Sequence, residues 1–376
     1  MSGLYIHIPF CTYKCSYCNF YSIVNMNDRE IYRKYIEALI SELKLRIVNY
    51  KSYIETIYLG GGTPSVLNVH LLKYLLDNVL YIVYSHNKNK ELIKEITIES
   101  NINNINEEYI NFLESIDNIR LSLGIQTFNE KSLAIINRHT DKKDIIEALK
   151  LINKSSLENI SLDFICGLPL NSENQIKDDI LFSFDLLPKT KHFSLYYLEL
   201  TESLKSKWNV FLPDDEKSVI YYKKASDTLE GLGFKRYEIS NYSIENYNSI
   251  HNSHYWLLKD YIGIGVSASG CYNDNRYSNI KILKDYFDYI DKNILPIKEN
   301  EYLNIDDRKK EFIFLSLRTV KGIDIHKYNN CFNEVFYDKY CKIINDNKEY
   351  FNISNDYLSI KKSYFDYADE ISILLF

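Results

Sequence analysis

Through the first half of the chain, short runs rich in β-branched and aromatic residues alternate with longer stretches whose apolar residues recur every three to four positions. The spacing predicts strands over 4–8, 56–59, 95–99, 120–125, 159–165 and 192–197. Between them it predicts helices over 29–48, 69–79, 107–115, 130–136, 142–153 and 173–186. The first helix carries Ile31, Tyr35, Ala38, Leu39 and Leu43 on one face. Six strands, each followed by a helix or crossover, imply a parallel sheet covered by helices. A closed or partly closed β/α barrel and an open doubly wound sheet both meet this pattern. In a barrel, functional groups sit on loops at the C-terminal ends of strands. The distinctive residues fall there: 11–18 after the first strand, 60–64 after the second, Glu99 closing the third, Gln126 after the fourth and 167–169 after the fifth.

Beyond about residue 200 the alternation lapses. A helix is expected over 214–229 and a short strand over 235–239. The segments 246–252 and 273–279 read as polar loops, 263–270 is glycine-rich, and the residues from 300 onward read as mainly helical. The expected organisation is a core barrel over 1–210, a barrel extension over 211–299 and a small, mainly helical C-terminal domain over 300–376.

Composition adds little to this picture. Of 376 residues, 45% are hydrophobic, enough for a sizeable core. The net charge of −6 argues against nucleic acid as the main partner, since phosphate contacts need clustered Lys and Arg. No stretch approaches the roughly 18–20 apolar residues of a membrane span. The opening residues lack the basic and apolar regions of a signal peptide, so a cytoplasmic protein is expected.

The cysteines change more. Seven are present, an odd number that argues against a disulfide framework. Cys11, Cys15 and Cys18 are spaced C-x3-C-x2-C, so one loop can place three thiolates on a single metal centre. Structural zinc takes four ligands, usually as two separated pairs, and no fourth Cys or His follows at such spacing. Three thiolates suit a [4Fe–4S] cluster with one iron left open to an external ligand. Zinc with His7 as fourth ligand and a purely structural trio are the competing readings.

Other strand ends carry groups suited to a polar ligand. The run Gly60-Gly61-Gly62-Thr63-Pro64 permits close backbone approach because no Cβ intervenes. Glu99 is an acceptor for hydroxyls, Gln126 a neutral amide, Arg138 a fork for a carboxylate, and Asp163 a second acceptor.

With these residues in view, the chain resembles the radical SAM superfamily, in which an aromatic, here Tyr17, precedes the third cysteine. In that superfamily the open iron is chelated by the amino and carboxylate groups of S-adenosylmethionine, whose reductive cleavage yields a 5′-deoxyadenosyl radical. The segments 4–11, 60–64, 122–128, 163–169 and 237–241 are together similar to the oxygen-independent coproporphyrinogen III oxidase family. That family includes true oxidases and the heme chaperone HemW branch. The resemblance implies a partial parallel (β/α)6 barrel with a small helical C-terminal domain. It implies S-adenosylmethionine contacts from Tyr5, Gly61, Gly62, Thr63, Glu99, Gln126, Arg138 and Asp163.

Two features point to the chaperone branch. True oxidases carry a fourth cysteine two residues after the third, where this chain has Phe20. The run His251-Asn-Ser-His-Tyr-Trp256 matches an H-N-x-x-Y-W motif tied to heme binding in that branch, with His251 as iron ligand and Tyr255 and Trp256 packing on the porphyrin. The implied activity is delivery of heme cargo to acceptor proteins, some of them membrane-associated, with an electron donor for the cluster. An oxidase and a radical SAM nucleic-acid modifier are the rivals. The chain departs from the family pattern at Ser16, Asn19, Ile102 and Ser269, which replace Pro, Asp, Pro and His.

Overall fold

The computed structural model describes residues 1–24, 26 and 28–376. Twelve strands form one sheet. In chain order they are β1 (Ser2–Ile8), β2 (Ile54–Gly61), β3 (Glu95–Asn101), β4 (Ile119–Gln126), β5 (Ile160–Cys166), β6 (His192–Tyr197), β7 (Lys235–Arg236), β8 (Asn241–Ser243), β9 (Tyr261–Ile264), β10 (Ser269–Tyr272), β11 (Asn275–Asn279) and β12 (Ile297–Tyr302). Their spatial order is β12-β11-β10-β9-β1-β2-β3-β4-β5-β6-β8-β7. The order does not close on itself, so the barrel is partial.

The six expected strands run parallel from β1 to β6. A seventh parallel strand, β9, joins the free side of β1, pairing Tyr5 with Gly263. Antiparallel strands extend both edges. The polar segment 273–279, expected as a loop, is therefore partly strand: Tyr277 hydroxyl bonds to both the N–H and the carbonyl of Gly263, at 3.0 Å each, and ties β11 to β9 across the intervening β10.

Alternation along the strands decides what faces where. Leu4, Ile6, Ile8, Ile57, Leu59, Ile96, Ile98, Leu121, Leu123, Ile160 and Leu162 are buried at one parity and join the core with the covering helices. Residues of the other parity meet one another across the strands. The Tyr5 and Tyr58 rings lie 6.0 Å apart, Tyr58 donates to Glu99 at 2.7 Å, and Ser122 donates to Asp163 at 2.7 Å. The inner surface is thus polar, and burying it requires each group to find a partner.

The main cluster of buried hydrophobic residues runs from Leu4 to Ile290, and a second runs from Phe312 to Leu375. The second segment is not purely helical: Ile323–Asp324, Tyr357–Ile360 and Phe351–Ile353 form a three-stranded antiparallel sheet among its helices. Among the described residues, no helix is long and apolar enough to cross a membrane.

Candidate functional site

The cysteine loop leaves β1 and is fixed before any metal is considered. Ser16 N–H donates to the Ile136 carbonyl at 2.9 Å, and Asn137 donates to the Lys14 carbonyl at 2.7 Å. Tyr13 stacks on His139 at 4.6 Å. The segment that carries Arg138 therefore also holds the loop. Cys18 N–H closes a turn on the Cys15 carbonyl at 3.1 Å.

The glycine run supplies the opposite wall. Gly62 N–H donates to the Ile8 carbonyl at 2.8 Å and Thr63 N–H to the Phe10 carbonyl at 2.9 Å. A Cβ on Gly62 would stand 2.8 Å from both of those backbone oxygens. Gly61 has φ +110°, and a Cβ there would strike the His7 ring at 2.4 Å. The glycines are required here because the backbone packs against the cysteine loop itself. Thr63 Oγ1 lies 3.4 Å from Cys11 Sγ.

Three polar groups stand on the inner strand ends. Glu99 accepts from Tyr58 and, at 3.1 Å, from Gly61 N–H. Burial still lifts its carboxyl to about 7, with the Asp163 charge adding to the effect. Asp163, accepting from Ser122 and Ser161, is likewise raised by burial. Arg138 Nη2 donates to the Gly124 carbonyl at 2.6 Å, Nη1 reaches Cys15 Sγ at 4.0 Å, and Nε is buried without a partner among the described residues.

One cavity of about 710 Å³ gathers Cys11, Cys15, Cys18, Gly61, Gly62, Thr63, Glu99, Gln126, Arg138 and Asp163. Phe20 lies at the same cavity and is 67% exposed. Tyr5 does not line it; its hydroxyl donates to His7 Nδ1, while His7 Nε2 donates to the Tyr21 carbonyl, each at 3.0 Å. With both ring nitrogens engaged and burial lowering its pKa to about 4, His7 is a neutral core residue.

The motif from His251 lies elsewhere, on a helix (Ile250–Trp256) rather than the expected loop. Ser249 caps that helix, and buried Glu95, at the start of β3, accepts from the N–H groups of Ile250 and His251 at 3.0 and 2.9 Å. His251 is 1% exposed; its Nδ1 is bonded to Thr56 hydroxyl at 2.8 Å and its Nε2 to Tyr255 hydroxyl at 2.9 Å. Burial lowers its pKa to about 3. Thr56 and Glu95 belong to the N-terminal halves of their strands, so His251 and Tyr255 plug the end of the barrel remote from the cysteines. Heme ligation by His251 requires the buried ring to free one of its two nitrogens, from Thr56 or from Tyr255. Trp256 packs differently: the Arg318 guanidinium lies 5.3 Å from its ring.

The cavity also includes groups absent from the sequence reading. Asn101, beside Glu99, bridges Tyr13 and Arg138. Tyr196, Arg236, Arg318, Asp366 and Asp369 come from the second half of the chain. Asn101 closes the same strand as Glu99, as the sequence pattern already places it, whereas the others arrive by long-range packing that no local pattern signals.

The residues fit an iron–sulfur cluster and its ligand. Thiolates are the donors such a cluster uses. Burial and the neighbouring thiols hold Cys11 and Cys18 above the ordinary thiol range, a cost that a bound cation reverses. The unpartnered Arg138 Nε provides a free donor beside them. Among the described residues no three side chains already converge to metal-binding distance, so the thiols share a wall without forming a closed triangle.

A partial barrel of parallel strands with this three-cysteine loop after β1 defines the radical SAM class. The model of the Radical SAM superfamily matches residues 5–182. Among curated proteins, the chain is 32% identical over 339 residues to the heme chaperone HemW of Lactococcus lactis subsp. lactis, covering 88% of this chain and 85% of that one. It is 35% identical over 309 residues to the heme chaperone HemW of Buchnera aphidicola subsp. Acyrthosiphon pisum, covering 80% and 77%. Among solved structures, coproporphyrinogen III oxidase (HemN) from Escherichia coli superposes with a TM-score of 0.83 at 19% identity, covering 99% of this chain and 89% of that one. The chain belongs to the heme chaperone HemW family of radical SAM proteins. Membership of the superfamily implies a [4Fe–4S] cluster and S-adenosylmethionine.

Proposed function

We propose that this protein binds heme and passes it to acceptor proteins, using a [4Fe–4S] cluster on Cys11, Cys15 and Cys18 together with S-adenosylmethionine. The observation that carries the cofactor half is the assembly of all three cysteines, the glycine run, Glu99, Gln126, Arg138 and Asp163 around one cavity. Arg138 is suited to a carboxylate, since its Nε is unspent and its guanidinium is nine-tenths buried, where a charge-assisted bond is strong. Glu99 and Asp163 offer acceptors to ribose hydroxyls, and the glycine run lines the cavity beside them. When bound, the cluster supplies one electron and an open coordination position. The chain's own part is to orient the ligand and exclude water from it.

The heme half is supported by the HemW relatives and by Phe20 in place of a fourth cysteine. His251 is the proposed axial ligand, reached when the helix Ile250–Trp256 leaves the barrel end. Residence in the cytoplasm with transient docking at a membrane belongs to the same reading, as do a membrane-associated acceptor and a separate electron donor.

The test is anaerobic reconstitution followed by parallel incubation with heme and with coproporphyrinogen III. Heme retained through gel filtration with no protoporphyrinogen formed is the expected result. Porphyrinogen turnover without heme retention establishes the oxidase instead. In the same titration, His251→Ala should lose the wild-type Soret shift; an unchanged spectrum puts the axial ligand elsewhere.

A further inference from the structure

The cavity that opens at the cysteine loop extends to two arginines for which the cofactor reading has no task. Arg236, ending β7, and Arg318, capping the helix Ile305–Leu317, both line it, together with Ile239 and Ser240 between them in sequence. Each has a buried Nε with no hydrogen-bond partner among the described residues. Each is held by an aspartate from the last turns of the chain. Arg236 Nη1 bonds Asp366 at 2.7 Å, and Arg318 Nη1 bonds both oxygens of Asp369 at 2.5 Å.

The pairing is asymmetric. The arginine side chains are only 12% and 21% exposed, whereas Asp366 and Asp369 are 28% and 43% exposed. Aromatic rings fix the guanidinium planes: Arg236 lies 4.8 Å from the Phe365 ring and Arg318 sits on Trp256. Arg318, bonded through Nη1 alone among the described residues, keeps the donors of a two-point carboxylate fork, whereas Arg236, whose Nη2 already donates to the Tyr222 hydroxyl and the Ile239 carbonyl, offers a carboxylate a single bond from Nη1. The aspartates, on the wetter side, are the exchangeable halves of these pairs, and part-exposed pairs are worth little. Glu199 and Glu370 also line the cavity, and buried Glu238 lies within electrostatic reach of both guanidiniums. An anionic ligand is repelled unless it displaces some of these carboxylates.

We propose that Arg236 and Arg318 form a clamp for the carboxylate side chains of a tetrapyrrole held in the cavity. Asp366 and Asp369 are built-in stand-ins, occupying the clamp until the ligand's carboxylates take their place. The proposal rests on heme binding as read above, with the tetrapyrrole at the cysteine end of the barrel in place of the His251 end, and narrows it to tetrapyrroles with free propionates. It also assigns the C-terminal turns a role as a competitor for cargo.

The experiment is equilibrium titration of the full chain in detergent with iron protoporphyrin IX and, separately, with its dimethyl ester. The free acid should bind at least about tenfold more tightly, the scale of one charge-assisted pair. Arg236→Gln with Arg318→Gln should abolish that preference. Asp366→Asn with Asp369→Asn should tighten free-acid binding; this pair keeps the shape of the site and stays informative if the arginine variant fails to fold. Equal binding of acid and ester by the wild type, unchanged in the aspartate variant, overturns the clamp while the heme reading stands. Failure of the wild type to bind either porphyrin overturns both.

Discussion

Glu99 illustrates how a single side chain here answers to two demands. It must be an acceptor on the cavity wall, yet it sits on a strand interior where ionisation is expensive. Burial raises its carboxyl from an ordinary 4.5 to about 7, against the pull of Tyr58 and Gly61. Over the interval between those values the folded chain keeps a proton that the unfolded chain has released. The group's contribution to stability is therefore full below about pH 4.5 and lost as pH rises through 7. Buried His7, His192, His251 and His254 have lowered pKa values and oppose this slope on the acid side. The diagnostic is the difference between wild type and Glu99→Gln. In urea unfolding of the apoprotein, wild type should lose on the order of 1–3 kcal/mol relative to the variant between about pH 4.5 and 7.5. A flat difference contradicts the account. At this scale the sequence was informative where chemistry and position coincide, as for Cys11, Glu99 and Arg138. It did not signal the partners of His251, whose ring nitrogens are bonded to Thr56 and Tyr255.

Elements of the first half were readable because each strand is followed by a helix long enough to impose its own period. The strand alternation also carried more than element boundaries: Ser122-Leu-Gly-Ile-Gln126 and Ser161-Leu-Asp163 place their polar residues on the inner parity throughout. The later elements were not readable on the same terms. The helix Ile250–Trp256 spans only seven residues and draws its start from Ser249 and Glu95, the latter more than 150 positions away. β9 to β12 are short, and beside the ladder of β9 on β1 a buried carboxylate ties them to a covering helix. Glu42, on the helix Arg29–Ile47, accepts from Gly265 N–H at 2.8 Å, Tyr286 hydroxyl at 2.7 Å, Asn279 at 2.8 Å and Arg46 at 2.7 Å. Glu42→Ala strands all four donors and leaves Arg46 as an unpaired buried charge. A loss of about 3–5 kcal/mol is expected in urea or thermal unfolding. A loss below about 1 kcal/mol would show that the strand extension is held by packing alone.

At the scale of the whole molecule, the two halves meet at one cavity. The barrel contributes the cysteine loop and the polar strand ends, and the later segments contribute Arg236, Arg318 and the aspartates that engage them. A local pattern predicts the first set and cannot predict the second, because the arginines gain meaning only from the turns folded over them. The arrangement places cofactor groups and an anion-binding pair on one continuous surface, the layout expected of a protein that holds a carboxylate-bearing cargo beside its cluster. The central claim is that the three-cysteine loop and the wall facing it form a single site with an open iron. Electron paramagnetic resonance of the anaerobically reconstituted, reduced protein, with and without S-adenosylmethionine, tests it most directly. The account predicts a [4Fe–4S] signal whose line shape changes when S-adenosylmethionine is added. A fully loaded cluster whose spectrum is indifferent to S-adenosylmethionine would contradict it.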